Sequence, residues 1–222
     1  MKNNYSVNIA NKIKEFLTED DWHYSFNEDN GLFRFGLSLR GKIKKVNYVV
    51  KVKEDSYIVY AISPVGADEE DAKMMSAMTE FLCRANYGLR NGNFEMDMAD
   101  GEIRFKSFVD CEGIIPSRDM VENSIYCPAS MFDRYGNGIV DVIFGGVSAK
   151  DAINKCEEST DKGLHSLISE MMAEGVDVEA MLERLAERVG GADESETAEE
   201  TEKADAPKDV KMNLFNDEGG NE

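Results

Sequence analysis

Residues 80–110, with the sequence EFLCRANYGLRNGNFEMDMADGEIRFKSFVD, decide the fold of this chain. The first part continues an amphipathic helix and ends at a glycine. Residues 93–97 and 102–106 then alternate apolar and polar side chains on either side of Asp100-Gly101. Period-two alternation around an Asp-Gly pair is typical of a β-hairpin. The stretch therefore predicts a helix followed by two antiparallel strands, with one packed face and one face in water.

Three more segments with strand patterns precede that helix, at residues 32–39, 45–52 and 57–62. The turns between them are so short that consecutive strands have to be antiparallel neighbours. Residues 6–18 carry apolar side chains at helical spacing, and residues 22–26 look extended. The sequence therefore predicts an α+β fold in which helices pack on one face of a five-stranded antiparallel sheet.

A long helical pattern follows the hairpin, from Pro116 to the glycine pair Gly145-Gly146. Proline is favourable in the first turn of a helix, but Pro128 lies inside the pattern, where it removes a backbone donor. We therefore expect a bend near Pro128 or two shorter helices. The predicted order of elements is α-β-β-β-α-β-β-α.

The composition divides the chain into three predicted parts. Residues 1–158 form the α+β domain. Residues 159–190 carry two apolar stripes separated by Gly175, which predicts a helical hairpin as a C-terminal extension. Residues 191–222 are rich in Glu, Thr, Ala and Asp. They contain too few apolar residues to offset the entropy of ordering, so this acidic tail is predicted to be disordered.

The chain is strongly acidic, with a net charge of −19 and a pI near 4.5. Nucleic acids and anionic membrane surfaces need basic protein surface, so both are disfavoured as partners. The apolar runs are too short to span a membrane, and the N-terminus lacks the apolar core of a signal peptide. These features predict a cytoplasmic protein.

The sequence shows no motif of catalysis or cofactor binding. The four cysteines form no CxxC pair and are expected to be small buried hydrophobes. His23 and His165 lie outside any nucleophile or zinc motif. Met98 and Ala99 cannot supply the side-chain oxygens that would make residues 97–102 part of a calcium loop. We therefore predict that the protein is not an enzyme and has no cofactor or metal site.

Several short motifs resemble the bacterial YbjN domain family. They are, in chain order, Asn86-Tyr87-Gly88, Gly92-Asn93-Phe94-Glu95 and Asp100-Gly101-Glu102-Ile103-Arg104. The resemblance covers roughly residues 5–155. The family is described as a sensory-transduction regulator, and its fold is similar to that of class I type III secretion chaperones. The resemblance therefore implies a small acidic homodimer that binds partner polypeptides, and it supplies no catalytic residues.

Flexible methionine and leucine side chains suit surfaces that accept varied apolar partners. On the predicted hairpin extension, the residues assigned to partner binding are Met171, Met172, Met181, Leu182 and Leu185. Glycines in the long helix would allow close approach of a second copy. The residues assigned to a dimer interface are Tyr135, Gly136, Gly138 and Ile139. Three further methionines, Met74, Met75 and Met78, lie in the predicted helix that precedes the β-hairpin. We interpret them as core residues in preference to a partner surface.

These observations predict a non-enzymatic protein-interaction module, chaperone-like or regulatory, that buries apolar segments of a partner polypeptide. Two alternatives stay open. A small-ligand sensor would be marked by a closed apolar cavity of a few hundred cubic ångströms. An enzyme with a site of dispersed residues would bring Asp97, Asp110 and Arg104 together in a deep pocket.

Overall fold

The computed structural model describes residues 4–159, which form four helices and a six-stranded antiparallel sheet. The elements are, in chain order, α1 (Val7–Glu19), β1 (Tyr24–Asn27), β2 (Leu32–Ser38), β3 (Lys45–Val52), β4 (Ser56–Ile62), α2 (Ala72–Asn86), β5 (Asn93–Met96), β6 (Ile103–Asp110) and α3 (Arg118–Gly145). A fourth helix, α4, covers residues 149–159. The α+β class is confirmed. Apart from residue 159, the predicted helical extension and the acidic tail lie outside the described residues.

The sheet has the strand order β1-β2-β3-β4-β6-β5, so the predicted number of five strands was wrong. The additional strand is β1, in the segment that the sequence indicated only as extended. It pairs with β2 in a register that places Tyr24 opposite Phe35 and Phe26 opposite Phe33. A strand of four residues shows barely two periods of alternation, and for this reason the pattern alone did not identify it.

The hairpin predicted from the opening stretch is present as β5 and β6, paired from Asn93↔Lys106 to Met96↔Ile103. Its connection is longer than a two-residue turn. The N–H of Asp97 donates to the carbonyl of Glu102 at 2.9 Å, and the N–H of Gly101 donates back to Asp97 at 2.8 Å. Gly101 adopts φ +70° and lies directly against the backbone of Ala67, so no other residue fits there.

A single hydrophobic core lies between the helices and one face of the sheet. The inward positions of the strands and the apolar stripes of the helices supply it, as the alternating and helical patterns predicted. The largest fully buried side chains are Tyr48, Tyr57, Phe16, Phe33, Phe81, Phe105 and Phe132. Met75 and Met78 also belong to this core and Met74 packs against it, so the core interpretation of these methionines is confirmed.

Helix α3 runs without interruption through Pro128, so of the two predicted outcomes, a bend or two shorter helices, the second was wrong. The hydroxyl of Tyr48, on strand β3, donates a hydrogen bond to the carbonyl of Ile125 at 2.8 Å. The strand thus bonds to the helix at the turn that contains the proline. Burial raises the pKa of Tyr48, so the hydroxyl keeps its proton.

Candidate functional site

Every second side chain of the strands points away from the helices, and we call this side of the sheet the open face. On the neighbouring strands β3, β4 and β6, the helix-facing residues are buried, except for the partly buried Val109, and the residues between them are partly or fully exposed, except for Ser56. One face of the sheet is therefore packed, and the other is accessible in the part of the chain that the structure describes.

Five apolar side chains lie together in the middle of the open face, and we call them the apolar patch. They are Val49, Ile58, Tyr60, Ile62 and Phe108. Val49 is opposite Tyr60, and Ile58 is opposite Phe108, which is 53% exposed. Directly opposite side chains on antiparallel strands are about 4.5–5.5 Å apart, so the patch is continuous.

Basic residues flank the apolar patch on both sides. Arg34 on β2 is opposite Val49, and Lys106 on β6 is opposite Tyr60. Lys51 on β3 is opposite Ile58. Arg34 and Lys51 are exposed, and neither forms an ion pair with any residue between 4 and 159. The open face therefore combines an apolar centre with cationic margins.

One carboxylate, that of Glu95, joins the two cations at the β6 margin. Nε of Arg104 lies 2.9 Å from Oε2 of Glu95, and Nζ of Lys106 contacts the other carboxylate oxygen. Partial burial raises the pKa of Glu95, but hydrogen bonds from Lys106 and Arg104 outweigh that effect, so the pKa is lowered. The Arg104 guanidinium also lies 4.6 Å from the centre of the Tyr60 ring. These contacts hold Arg104 and Lys106 beside the apolar patch.

Gly36 on β2 leaves space for a further cation on the open face. A Cβ at this position would collide with the side-chain carbon Cε of Lys45, which lies over the glycine. Lys45 has no ion-pair partner among residues 4–159. The missing side chain of Gly36 therefore lets the lysine lie along the sheet.

The four residues predicted for a dimer interface are buried inside the chain's own fold. Tyr135 is 3% exposed and Ile139 is completely buried. A Cβ at Gly138 would collide with Phe81, and one at Gly136 would press on Ile43. The two glycines permit close packing within the domain, so these residues offer no free surface to a second copy. The predicted partner-binding residues Met171, Met172, Met181, Leu182 and Leu185 lie outside the described residues.

The dispersed residues of the enzyme alternative do not form one site. Arg104 and Asp110 are six positions apart on β6, which corresponds to about 20 Å. The carboxylate of Asp110 accepts a hydrogen bond from the N–H of Glu112, and that of Asp97 accepts one from the N–H of Ala99, both at 2.9 Å. The two carboxylates therefore stabilise separate turns.

A second accessible surface runs along α2 and the β5–β6 connection. It is a groove of about 890 Å³, lined by residues that include Ser76, Thr79, Cys83, Arg84 and the 63% exposed Met98. This groove is open to solvent, whereas the ligand-sensor alternative requires a closed cavity. The side chains that line the groove are a mixture of apolar, hydroxyl, thiol and charged groups, so they do not indicate one class of ligand.

The four cysteines and His23 form no cluster that suggests a reactive or metal-binding site, and His165 lies outside the described residues. Cys111 and Cys156 are buried, as predicted, while Cys127 is partly buried and Cys83 is exposed. Burial raises the pKa of the Cys111 thiol. His23 is at the surface. In residues 4–159, no three His, Cys, Asp or Glu side chains are placed to hold a metal ion, and no helix is both long and apolar enough to cross a membrane.

Comparison with known proteins adds no relative. No protein-family model matches the chain, and no curated protein matches it significantly. The resemblance to the YbjN family and to type III secretion chaperones therefore stays a prediction.

The open face carries a signal that the sequence interpretation did not use. Residues 57–62, Tyr-Ile-Val-Tyr-Ala-Ile, form an unbroken apolar run and do not alternate with polar residues. A continuous apolar run indicates a strand with apolar side chains on both faces. Since the helices cover only one face of β4 in the described part of the chain, the other half of the run forms the centre of the apolar patch.

Proposed function

We propose that this protein is a non-enzymatic polypeptide-binding module, chaperone-like or regulatory, and that the open face is its binding surface. One observation carries the proposal. The apolar patch lies on the side of the central strands β3, β4 and β6 that faces away from the helices, where Phe108 is exposed and the other four side chains are partly exposed.

The position and the composition of the patch both support binding. Contiguous exposed apolar surface with a polar rim is typical of interaction sites, since its removal from water contributes about 25 cal/mol per Å². Tyr60, Phe108 and Arg104 belong to the residue types that are enriched at interfaces. The flanking charges favour one orientation of a partner and oppose indiscriminate apolar association.

Three further predictions from the sequence belong to this proposal. They are the cytoplasmic location, the YbjN-like character and the homodimer. The burial of Tyr135, Gly136, Gly138 and Ile139 means that a dimer has to use another surface. Sedimentation equilibrium of the full chain measures the oligomeric state directly.

The test compares two exposed phenylalanines. Phe108→Ser removes the most exposed residue of the apolar patch, and Phe144→Ser removes a 70% exposed residue at the end of α3 as a matched control. The full chain and both variants are applied to an array of 15-residue peptides of varied apolar content. We expect Phe108→Ser to weaken peptide binding about tenfold, since one buried aromatic contact contributes 1–2 kcal/mol or more.

Equal binding by Phe108→Ser and the unmodified chain would contradict the proposal, provided that both remain folded by circular dichroism. Loss of binding in Phe144→Ser alone would place the binding surface on the helical side. Catalytic conversion of any small molecule by the purified chain would contradict the non-enzymatic assignment.

A further inference from the structure

We infer that the partner segment on the open face is an extended acidic peptide, in which carboxylates alternate with apolar residues in the pattern acidic-x-apolar-x-acidic. This inference rests on the proposed function and specifies the chemistry of its partner. It is carried by the cations around the apolar patch.

The charge of the open face is opposite to that of the whole protein. Five basic residues occupy its strand positions, and three acidic residues accompany them, Glu95 and Asp110 on the strands and Glu102 directly before β6. The basic residues are Arg34, Lys45, Lys51, Arg104 and Lys106. The chain as a whole carries a net charge of −19. A locally positive surface on an acidic protein attracts a partner of negative charge and repels a basic one.

The spacing of these cations fits a peptide that lies across the strands. One row of the open face reads Arg34, Val49, Tyr60 and Lys106 on four neighbouring strands. Three intervals of about 4.8 Å separate its two cations by about 14 Å. In an extended peptide, residues i and i+4 are about 13–14 Å apart and share a side with residue i+2. Two carboxylates thus meet Arg34 and Lys106 while the apolar residue between them covers Val49 and Tyr60.

The neighbouring rows repeat the arrangement in part. Lys51, Ile58 and Phe108 are consecutive in one row, and Asn47, Ile62 and Arg104 in the other. Glu95 contacts both Arg104 and Lys106, and Glu102 lies 3.8 Å from Arg104, so two carboxylates match the two cations of the β6 margin. Arg34 on β2 and Lys45 and Lys51 on β3 form no ion pair with residues 4–159, so these are the cations that an incoming carboxylate meets without breaking an existing pair.

Other occupants match this surface less well. A second copy of the open face would bring five cations against five cations. A single-stranded nucleic acid would lay a phosphate at every nucleotide, including over the uncharged centre of each row. The observations thus favour a polypeptide whose charges are separated by apolar residues.

The test uses the full chain and synthetic peptides of defined register. The main probe repeats Glu-Ser-Phe-Ser three times, which places Glu and Phe on the same side of an extended peptide. A second probe repeats Glu-Phe-Ser-Ser and places them on opposite sides. Probes with Lys or Gln in place of Glu, and an oligothymidine of 12 nucleotides, complete the set. Fluorescence anisotropy at 20 and 200 mM salt gives each Kd.

Two charge-reversal variants separate the open face from general electrostatics. Arg34→Glu with Lys51→Glu changes exposed cations of the open face. Lys73→Glu with Lys150→Glu makes the same change in net charge on exposed positions of α2 and α4. We expect the first pair to weaken binding of the Glu-Ser-Phe-Ser probe about tenfold and the second pair less than twofold. The difference should shrink at 200 mM salt, where screening is stronger.

Equal effects of the two variants, or tighter binding of the Lys probe or of oligothymidine, would overturn the inference. So would equal affinity for the two Glu registers. The failure of the proposed function has a different signature. If the Gln probe binds as tightly as the Glu probe and Phe108→Ser abolishes the binding of both, the open face remains the binding surface and only the acidic partner is refuted. If Phe108→Ser weakens the binding of no probe, both the proposed function and this inference are refuted.

Discussion

The two faces of the sheet are built from the same strands but differ in how far their side chains are buried. On the helix-facing side, Phe105 is completely buried and makes an edge-on ring contact with Phe94 at 4.9 Å between centroids. On the open side, three positions further along β6, Phe108 is 53% exposed. One face is closed by the chain's own helices, and the other offers apolar surface with cations beside it. The comparison separates a covered face, which contributes to stability, from an exposed face, to which our proposal assigns binding.

The largest expected effect separates the two phenylalanines of β6. Phe105→Ala should lower the free energy of unfolding by about 3–5 kcal/mol, since it leaves a cavity in a close-packed core. Phe108→Ala should change it by about 0.5 kcal/mol or less, since the ring is already half in water. Urea titration followed by circular dichroism measures both. Similar losses in the two variants would mean that the open face is covered and would break the comparison.

The second prediction concerns alkaline pH and the covered face alone. Burial raises the pKa of Tyr57 to about 12, although the Ser124 hydroxyl at 3.1 Å partly offsets this effect. The unfolded state then loses the tyrosine proton near pH 10, while the folded state keeps it until about pH 12. Stability should therefore fall with rising pH across that window, by roughly 1.4 kcal/mol per pH unit for this group.

Tyr57→Phe supplies the control for that pH dependence. The variant has no proton to lose at position 57, so its unfolding free energy should fall less steeply between pH 10 and 12. A steeper slope in Tyr57→Phe than in the unmodified chain would contradict the assignment.

A small effect on stability is expected at the rim of the open face. Glu95→Gln removes the carboxylate that binds Arg104 and Lys106, and it should cost about 1 kcal/mol or less because these groups are partly exposed. Since the pKa of Glu95 is lowered, its contribution is present above the ordinary glutamate pKa of about 4.3 and is lost as the pH falls through the lowered value.

Chemical denaturation at pH 7 and at pH 3 checks this sign. The difference in stability between Glu95→Gln and the unmodified chain should shrink at the lower pH. In binding experiments the same variant should strengthen the affinity for acidic peptides, because it releases two cations. A weaker affinity would show that Glu95 orients these cations more than it competes for them.

The covered face was largely accessible to sequence reasoning, because its signals are local. The α2 helix, the β5–β6 hairpin and the core role of Met75 and Met78 follow from periodicity and turn residues. Strand β1 was not predicted as a strand because its four residues are too few to show a clear alternation of apolar and polar side chains. The continuity of α3 was not predicted because the packing around Pro128 is tertiary: Tyr48, which bonds to the helix there, lies 80 positions earlier in the chain.

The candidate site was not predicted, because it depends on which strands become neighbours. Arg34, Val49, Tyr60 and Lys106 are far apart in the sequence, and only the strand order aligns them. Conversely, Gly136 and Gly138 were assigned to a dimer because a glycine in a helix indicates close approach without showing what approaches. Ile43 and Phe81, from the same chain, occupy those places.

The hydroxyl of Tyr48 also ties α3 to the sheet. Pro128 has no N–H, so the carbonyl of Ser124 lacks the donor that residue 128 would otherwise supply. One residue further on, the Tyr48 hydroxyl on β3 donates to the carbonyl of Ile125 at 2.8 Å, and α3 continues as one helix of 28 residues. The longest helix of the domain is thus anchored to a central strand at the turn where its own hydrogen bonding is weakest.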